Sequence, residues 1–117
     1  MSDIRLESIP FELQGKTYQL RCNMNVLADV QEEYGGDLGA AINEASPIRS
    51  VLHFLAAMLN DYAEEQGWPE RFSHRQLGRI FPNAKKIPAA DVMRLVTTAL
   101  VPDTTVSGDT EAAESGN

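Results

Sequence analysis

The sequence has few residues of the kinds that build disulfides, metal sites and membrane spans. Cys22 is the single cysteine, so an internal disulfide is impossible and a reducing compartment is the expected location. The chain has no run of eighteen apolar residues, and residues 1–5 lack the pattern of a secretory signal, so we expect neither a membrane span nor an export signal. The two histidines, His53 and His74, stand 21 positions apart (53 to 74), which does not resemble the ligand spacing of a zinc site.

Positive charge is also scarce. The net charge is −7, with 17 acidic and 10 basic residues. Residues 102–117 carry four acidic side chains and no basic one (−4), which leaves 13 acidic and 10 basic residues in 1–101 (−3). Nucleic-acid binding normally needs a positive surface, so the composition argues against a nucleic-acid partner. The four acidic residues of the segment are Asp103, Asp109, Glu111 and Glu114.

Residues 9–22 have the alternating pattern of a β-hairpin. A two-residue turn at Gln14-Gly15 would pair Phe11 with Tyr18 and Leu13 with Lys16. That register places the apolar side chains on one face, which must rest on the rest of the protein because an isolated hairpin is marginally stable. The predicted apolar face consists of Ile9, Phe11, Leu13, Tyr18, Leu20 and Cys22.

Apolar periodicity and helix-capping residues predict five helices after the hairpin, at about 24–34, 37–43, 47–66, 73–81 and 88–101. The third begins at Ser46-Pro47 and is predicted to be the central helix of the core. Its predicted buried stripe is Ile48, Val51, Leu52, Leu55, Met58, Leu59 and Tyr62. The fold class is therefore mainly α (α+β), an N-terminal β-hairpin packed on about five helices. We expect one globular domain over 1–101 and a disordered acidic tail over 102–117, which has too few apolar residues to fold.

The sequence shows no recognisable catalytic constellation. Cys22 falls on the buried face of the hairpin, whereas a reactive thiol needs exposure and nearby positive charge. The acidic pairs Glu32-Glu33 and Glu64-Glu65 lie on predicted solvent faces, and Gly35-Gly36 lacks the Lys-Ser/Thr of a phosphate-binding loop. We therefore predict no catalytic residue, no cofactor and no metal ligand, and a protein that is not an enzyme.

Three side chains are candidates for contact with a partner protein. Trp68 and Phe72 flank a charged connector, where they either close the end of the core or form part of a contact patch, since both residue types are enriched at interface centres. His53 lies on the central helix at a surface or boundary position. We take Trp68, Phe72 and His53 as the candidate partner-binding residues.

Two consecutive stretches resemble the tail assembly chaperones of long-tailed bacteriophages and prophages. Residues 11–21 read FELQGKTYQLR, which is similar to that family's opening hairpin, although Gln14 stands where an Asn or Asp is usual. Residues 23–35 read NMNVLADVQEEYG and resemble the helix that follows this hairpin in the family. The resemblance covers about residues 9–101, is specific in the first third and is architectural beyond it.

The resemblance implies a non-enzymatic role in tail morphogenesis. Such proteins are expected to bind the tape-measure protein, to recruit the major tail (tube) protein, and to act in the host cytoplasm without entering the mature virion. Weak self-association is compatible with this role, whereas nucleic-acid and membrane partners are not expected. Two alternatives stay open, which are a structural tail-completion or head–tail joining protein and a small acidic protein-binding regulator.

Overall fold

A two-stranded antiparallel hairpin precedes five α-helices in the computed structural model, which describes residues 7–43 and 47–100. This architecture confirms the predicted fold class, and the helix bounds in the described residues lie within one residue of those predicted. The elements are β1 (Ile9–Leu13), β2 (Lys16–Leu20), α1 (Met24–Glu33), α2 (Leu38–Ile42), α3 (Pro47–Gln66), α4 (His74–Ile80) and α5 (Ala89–Leu100).

The hairpin has the predicted register, because its turn fixes the pairing. Phe11 lies opposite Tyr18, and Leu13 lies opposite Lys16. Both turn residues have positive φ, +52° at Gln14 and +81° at Gly15, as a two-residue hairpin turn with the twist of its strands requires. The face that contains Leu13 and Tyr18 is directed toward the helices, and the larger side chains on it are buried or half-buried.

Replacing Gln14 by asparagine is expected to stabilise the protein by about 0.5–1 kcal/mol, because asparagine tolerates the left-handed conformation better than glutamine does. Denaturant unfolding of the two proteins measures the difference. The control is Gln19→Asn, the same exchange at an ordinary strand position, which should leave the free energy of unfolding unchanged or slightly reduced. An equal gain in both variants would contradict the explanation.

Side-chain caps determine where several helices begin. The Asn23 side chain accepts a hydrogen bond from the Val26 N–H at 3.0 Å and starts α1, and Asp37 starts α2 in the same way. Ser73 starts α4 through a capping box, in which the Ser73 hydroxyl accepts from the Gln76 N–H while the Gln76 side chain accepts from the Ser73 N–H. The predicted cap at Ser46 lies outside the described residues.

The long helix α3 is the centre of the core, where it contacts α1, α4, α5 and β2. Five of the seven residues in its predicted stripe are buried, and Tyr62 is half-buried. Ile48 is the exception, because it lies at the first turn and 53% of it is exposed. Phe54, which the stripe omits, is fully buried. Because elements pack on several sides of α3, its buried surface is wider than one helical stripe.

The segment between α4 and α5 contains a single 3-10 turn over Ala84–Lys86, where the Asn83 side chain accepts a hydrogen bond from the Lys85 N–H. Within residues 7–43 and 47–100, none of the helices combines the length and apolar content needed to cross a bilayer. The predicted disorder of 102–117 concerns residues outside the described part of the chain.

Candidate functional site

A groove with a volume of about 210 Å³ lies between α1, α3 and the start of α4. We call it the histidine groove, because both histidines of the chain line it. Helix α1 contributes its acidic last turns, α3 contributes small apolar residues and two polar side chains, and the connector before α4 contributes the rest. Its lining residues are Asp29, Val30, Glu32, Glu33, His53, Ala56, Ala57, Asn60, Phe72, Ser73 and His74.

His53 and His74 lie against each other in this groove. Their ring centroids are 3.8 Å apart and the rings are nearly parallel, at 25°. Glu33, the last residue of α1, completes a group in which one ligand-type atom from each residue lies within 4.8 Å of the other two. The distance along the sequence between the histidines suggested no shared site. The packing of α4 on α3 brings them together, because the chain folds back after Gly67.

Hydrogen bonds fix the chain where it enters α4, directly before His74. The Asn60 side chain on α3 donates to the Phe72 carbonyl oxygen and accepts from the Phe72 N–H, both at 2.8 Å. The capping box at Ser73 then sets the first turn of α4. Tyr34 places its ring edge-on to His53, with centroids 5.0 Å apart. Both imidazoles are therefore positioned by contacts with neighbouring elements.

The α1 side of the histidine groove carries concentrated negative charge. Burial raises the pKa of the Asp29 carboxyl, and repulsion from Asp61, Glu32, Glu64 and Glu33 raises it further. A raised pKa in a carboxylic acid means that the charged form is disfavoured there. A cation placed in the groove would relieve this repulsion, so the electrostatics favour positively charged ligands.

The structure separates the three predicted partner-binding residues. Phe72 and His53 line the histidine groove. Trp68 lies at the hairpin, where its ring is edge-on to Tyr18 at 5.3 Å and the Lys16 ammonium lies 4.8 Å from its ring centroid. Trp68 and Phe72 are half-buried against the core. Half-burial against the core fits both interpretations of their sequence pattern, and Phe72 also lines a groove.

A second groove, about 360 Å³ in volume, lies between the start of α3 and α4. We call it the arginine groove. Ile48 and Leu52 supply its apolar surface from α3, and Gly78 leaves the facing side of α4 open. Sequence reasoning missed it, because Ile48 was assigned to the core and the arginines come from two separate helices. Its lining residues are Ile48, Arg49, Leu52, His74, Arg75, Gly78 and Arg79.

The surroundings of Cys22 make its thiol unreactive. It is 4% exposed, and burial raises the pKa of the thiol to about 11. An unfolded thiol has a pKa near 8.5, so the stability that depends on the neutral thiol is fully present below about pH 8.5 and is lost as the pH rises toward 11.

We therefore expect the free energy of unfolding to fall more steeply between pH 8.5 and 11 in the wild type than in Cys22→Ala. Denaturant unfolding of both proteins at several pH values measures the two slopes, and the titration of lysines and tyrosines cancels in the comparison. Parallel slopes would show that the thiol titrates alike in the folded and unfolded states.

Comparison of the chain with family models, with curated proteins and with solved structures finds no match in any of the three.

Proposed function

We propose that this protein is a non-enzymatic tail assembly chaperone of a long-tailed bacteriophage or prophage. In this proposal it binds an amphipathic helix of the tape-measure protein in the arginine groove, recruits subunits of the tail tube, and leaves before the virion is complete. The resemblance of residues 11–35 to that family supports the identity of the partners. The observation that carries the binding mode is the arginine groove itself, in which a short apolar strip of exposed Ile48 and mostly buried Leu52 lies between arginines.

The shape of the arginine groove suits a helix. Ile48 is 53% exposed, whereas Leu52, one helical turn away, is 8% exposed, so Ile48 supplies most of the accessible apolar surface on α3. Across the groove Gly78 has no side chain, which lets a partner approach the backbone of α4 closely. An amphipathic helix that lays its apolar face into a groove of this kind is a recurring mode of peptide recognition.

The charge of the groove specifies the partner further. Arg49, Arg75 and Arg79 surround the apolar strip in a chain whose net charge is −7. The side chains of Arg75 and Arg79 make no hydrogen bond or ion pair with any described residue. Arginine pairs well with carboxylates, so the best partner is a helix with glutamates or aspartates beside its apolar face.

The size of the groove predicts weak single contacts. A groove of about 360 Å³ holds only a few side chains of a partner, so we expect micromolar or weaker binding at one site. Many copies bound along one long polymer would still remain associated, because linked sites raise the effective concentration. Weak individual sites would also permit release when tube subunits arrive.

The proposal is tested with two 20-residue helical peptides that share leucines at i, i+3, i+4 and i+7 and differ in their flanking residues, glutamate in one and lysine in the other. Isothermal titration should detect binding of the glutamate peptide alone. The Arg75→Glu/Arg79→Glu double variant should weaken it at least tenfold, whereas Lys85→Glu, an exposed charge reversal outside the groove, should change it less than twofold. Equal binding of both peptides would contradict the proposed mode.

Gly78→Ala separates stability from binding at this groove. A Cβ at Gly78 would meet the Leu52 Cδ1 at 3.6 Å, an ordinary contact, so alanine fits. Because alanine favours the helix, we expect the free energy of unfolding to rise by about 0.5–1 kcal/mol. The added methyl occupies the place of close approach, so binding of the glutamate peptide should weaken. If Gly78→Ala is more stable and binds the glutamate peptide equally well, the peptide binds elsewhere on the protein.

The role in assembly has its own test. Co-expression with the tape-measure gene of the same phage should keep the tape-measure protein soluble, and the Arg75→Glu/Arg79→Glu variant should fail to do so. Mass spectrometry of purified virions should find the tail tube and the tape-measure protein but not this chain. Its presence in stoichiometric amounts would favour a structural tail-completion or head–tail joining protein.

A further inference from the structure

We propose that Glu33, His53 and His74 form a binding site for a divalent transition-metal ion, with zinc as the best match. The three side chains come from three different elements and converge in the histidine groove. Two imidazole nitrogens and one carboxylate oxygen are a ligand set that zinc, cobalt and nickel accept. The site shares His74 with the arginine groove, but the proposal does not depend on the proposed partner.

The three ligand atoms lie near the spacing that a bound metal requires. Ligands at about 2.1 Å from a tetrahedral ion lie about 3.4 Å from each other. One ligand-type atom from each residue lies within 4.8 Å of the others. The imidazoles are stacked, with centroids 3.8 Å apart, so one ring must tilt before both nitrogen lone pairs point at the ion. Glu33 is exposed at the end of α1, so its side chain is free to turn toward the two imidazoles.

The surroundings of the three residues favour a cation and not a purely structural pair of histidines. Asp29 and Glu32 line the same groove. Burial raises the pKa of Asp29 most, and the repulsion from nearby carboxylates that adds to it would be reduced by a bound positive ion. The groove is open to solvent on one side, so a fourth ligand can be a water molecule. With three protein ligands and one exchangeable position, the ion would join α1, α3 and α4.

Zinc binding is measured by isothermal titration of ZnCl₂ into the full chain at pH 7.5, with Co²⁺ as a spectroscopic probe. We expect one ion per chain with a dissociation constant in the micromolar range or tighter. Each of His53→Gln and His74→Gln should weaken binding at least about 100-fold, since loss of a ligand exceeds the 10–100-fold effect of its outer partners. Glu33→Gln should weaken it at least about tenfold.

Glu32→Gln is the matched control, because it removes the same charge from the same groove and no proposed ligand. Its affinity should remain within threefold of the wild type. An equal loss of zinc affinity in Glu32→Gln and Glu33→Gln would show that a diffuse acidic surface attracts the ion, and it would overturn the proposal.

A second measurement does not depend on the variants folding. The chain has only two histidines, so the imidazole signals in its NMR spectrum report only on this site. Zinc should shift both sets of signals at one equivalent, and it should raise the thermal unfolding midpoint by roughly 5–15 °C at a hundredfold excess over the dissociation constant. Unchanged imidazole signals with ZnCl₂ at about 1 mM, or binding that survives both histidine substitutions, would overturn the proposal.

Discussion

Replacing Phe54 by alanine is expected to lower the free energy of unfolding by about 3–5 kcal/mol, the largest effect that we predict for a single substitution. Phe54 lies in the middle of α3 and is fully buried among the elements packed around that helix. Alanine would leave a cavity that the surrounding side chains can fill only in part. Because a domain of this size has a total stability of about 5–15 kcal/mol, the variant should be close to unfolding at 37 °C. Urea denaturation followed by circular dichroism measures the loss.

The matched control for Phe54→Ala is Ile48→Ala on the same helix. Apolar periodicity along α3 ranks Ile48 as a core residue and omits Phe54, whereas the structure leaves 53% of Ile48 exposed. We expect Ile48→Ala to cost less than about 1 kcal/mol, since less apolar surface leaves the interior. A larger loss of stability in Ile48→Ala than in Phe54→Ala would contradict the orientation of α3 about its axis that is described above.

The contrast between Ile48 and Phe54 shows where sequence reasoning reaches its limit in this fold. The i, i+3, i+4 rule assumes that a helix buries one stripe. Helix α3 is contacted by α1, α4, α5 and β2, so residues beside the stripe are buried along its middle. At the first turn of α3 the helix is no longer enclosed by these elements, so Ile48 is exposed although it lies on the predicted stripe. Burial at these two positions depends on the neighbours of α3, which periodicity does not describe.

Features set by residues close in sequence were predictable. The turn at Gln14-Gly15 fixes the hairpin register, because the pairing of a hairpin follows from its turn. Asn23, Asp37 and Ser73 cap the helices that they precede. In each case the side chain and the backbone group to which it bonds are at most three residues apart. A short stretch of sequence is therefore enough to predict the cap.

The two grooves were not predictable in the same way. His53 and His74 meet only because α4 packs on α3, and Glu33 joins them because α1 packs on the same helix. The separation of the histidines along the sequence argues against two ligands on one local motif, but it does not apply to residues that tertiary packing brings together. Arg49 lies on α3, whereas Arg75 and Arg79 lie on α4. No local pattern marks residues that tertiary packing brings together.

His74 connects the two grooves, since it lines both. A structural change at the start of α4 would therefore affect the histidine groove and the arginine groove together. The carboxamide of Asn60 on α3 makes two hydrogen bonds to the connector before α4. The stability of that attachment determines how well both grooves are preserved.

Asn60→Ala should therefore cost about 2–3 kcal/mol, because it leaves the Phe72 N–H and carbonyl oxygen without their partner in a part-buried position. Asn60→Asp keeps the acceptor for the Phe72 N–H but replaces the donor by a carboxylate oxygen that faces the Phe72 carbonyl, so it should be destabilising as well. Denaturant unfolding gives both values. The NMR signals of the His74 imidazole should move in each variant, because the start of α4 is no longer fixed to α3.

Asn25→Ala is the control for this interpretation of Asn60. It removes the same carboxamide from an exposed position, where its hydrogen bond to Asp61 is long at 3.4 Å, and it should change the free energy of unfolding by less than about 0.5 kcal/mol. The imidazole signals should stay in place. If Asn60→Ala were no more damaging than Asn25→Ala, water would be replacing the carboxamide at Phe72. The connector would then be held by Phe72 packing alone, and the two grooves would keep their shape without Asn60.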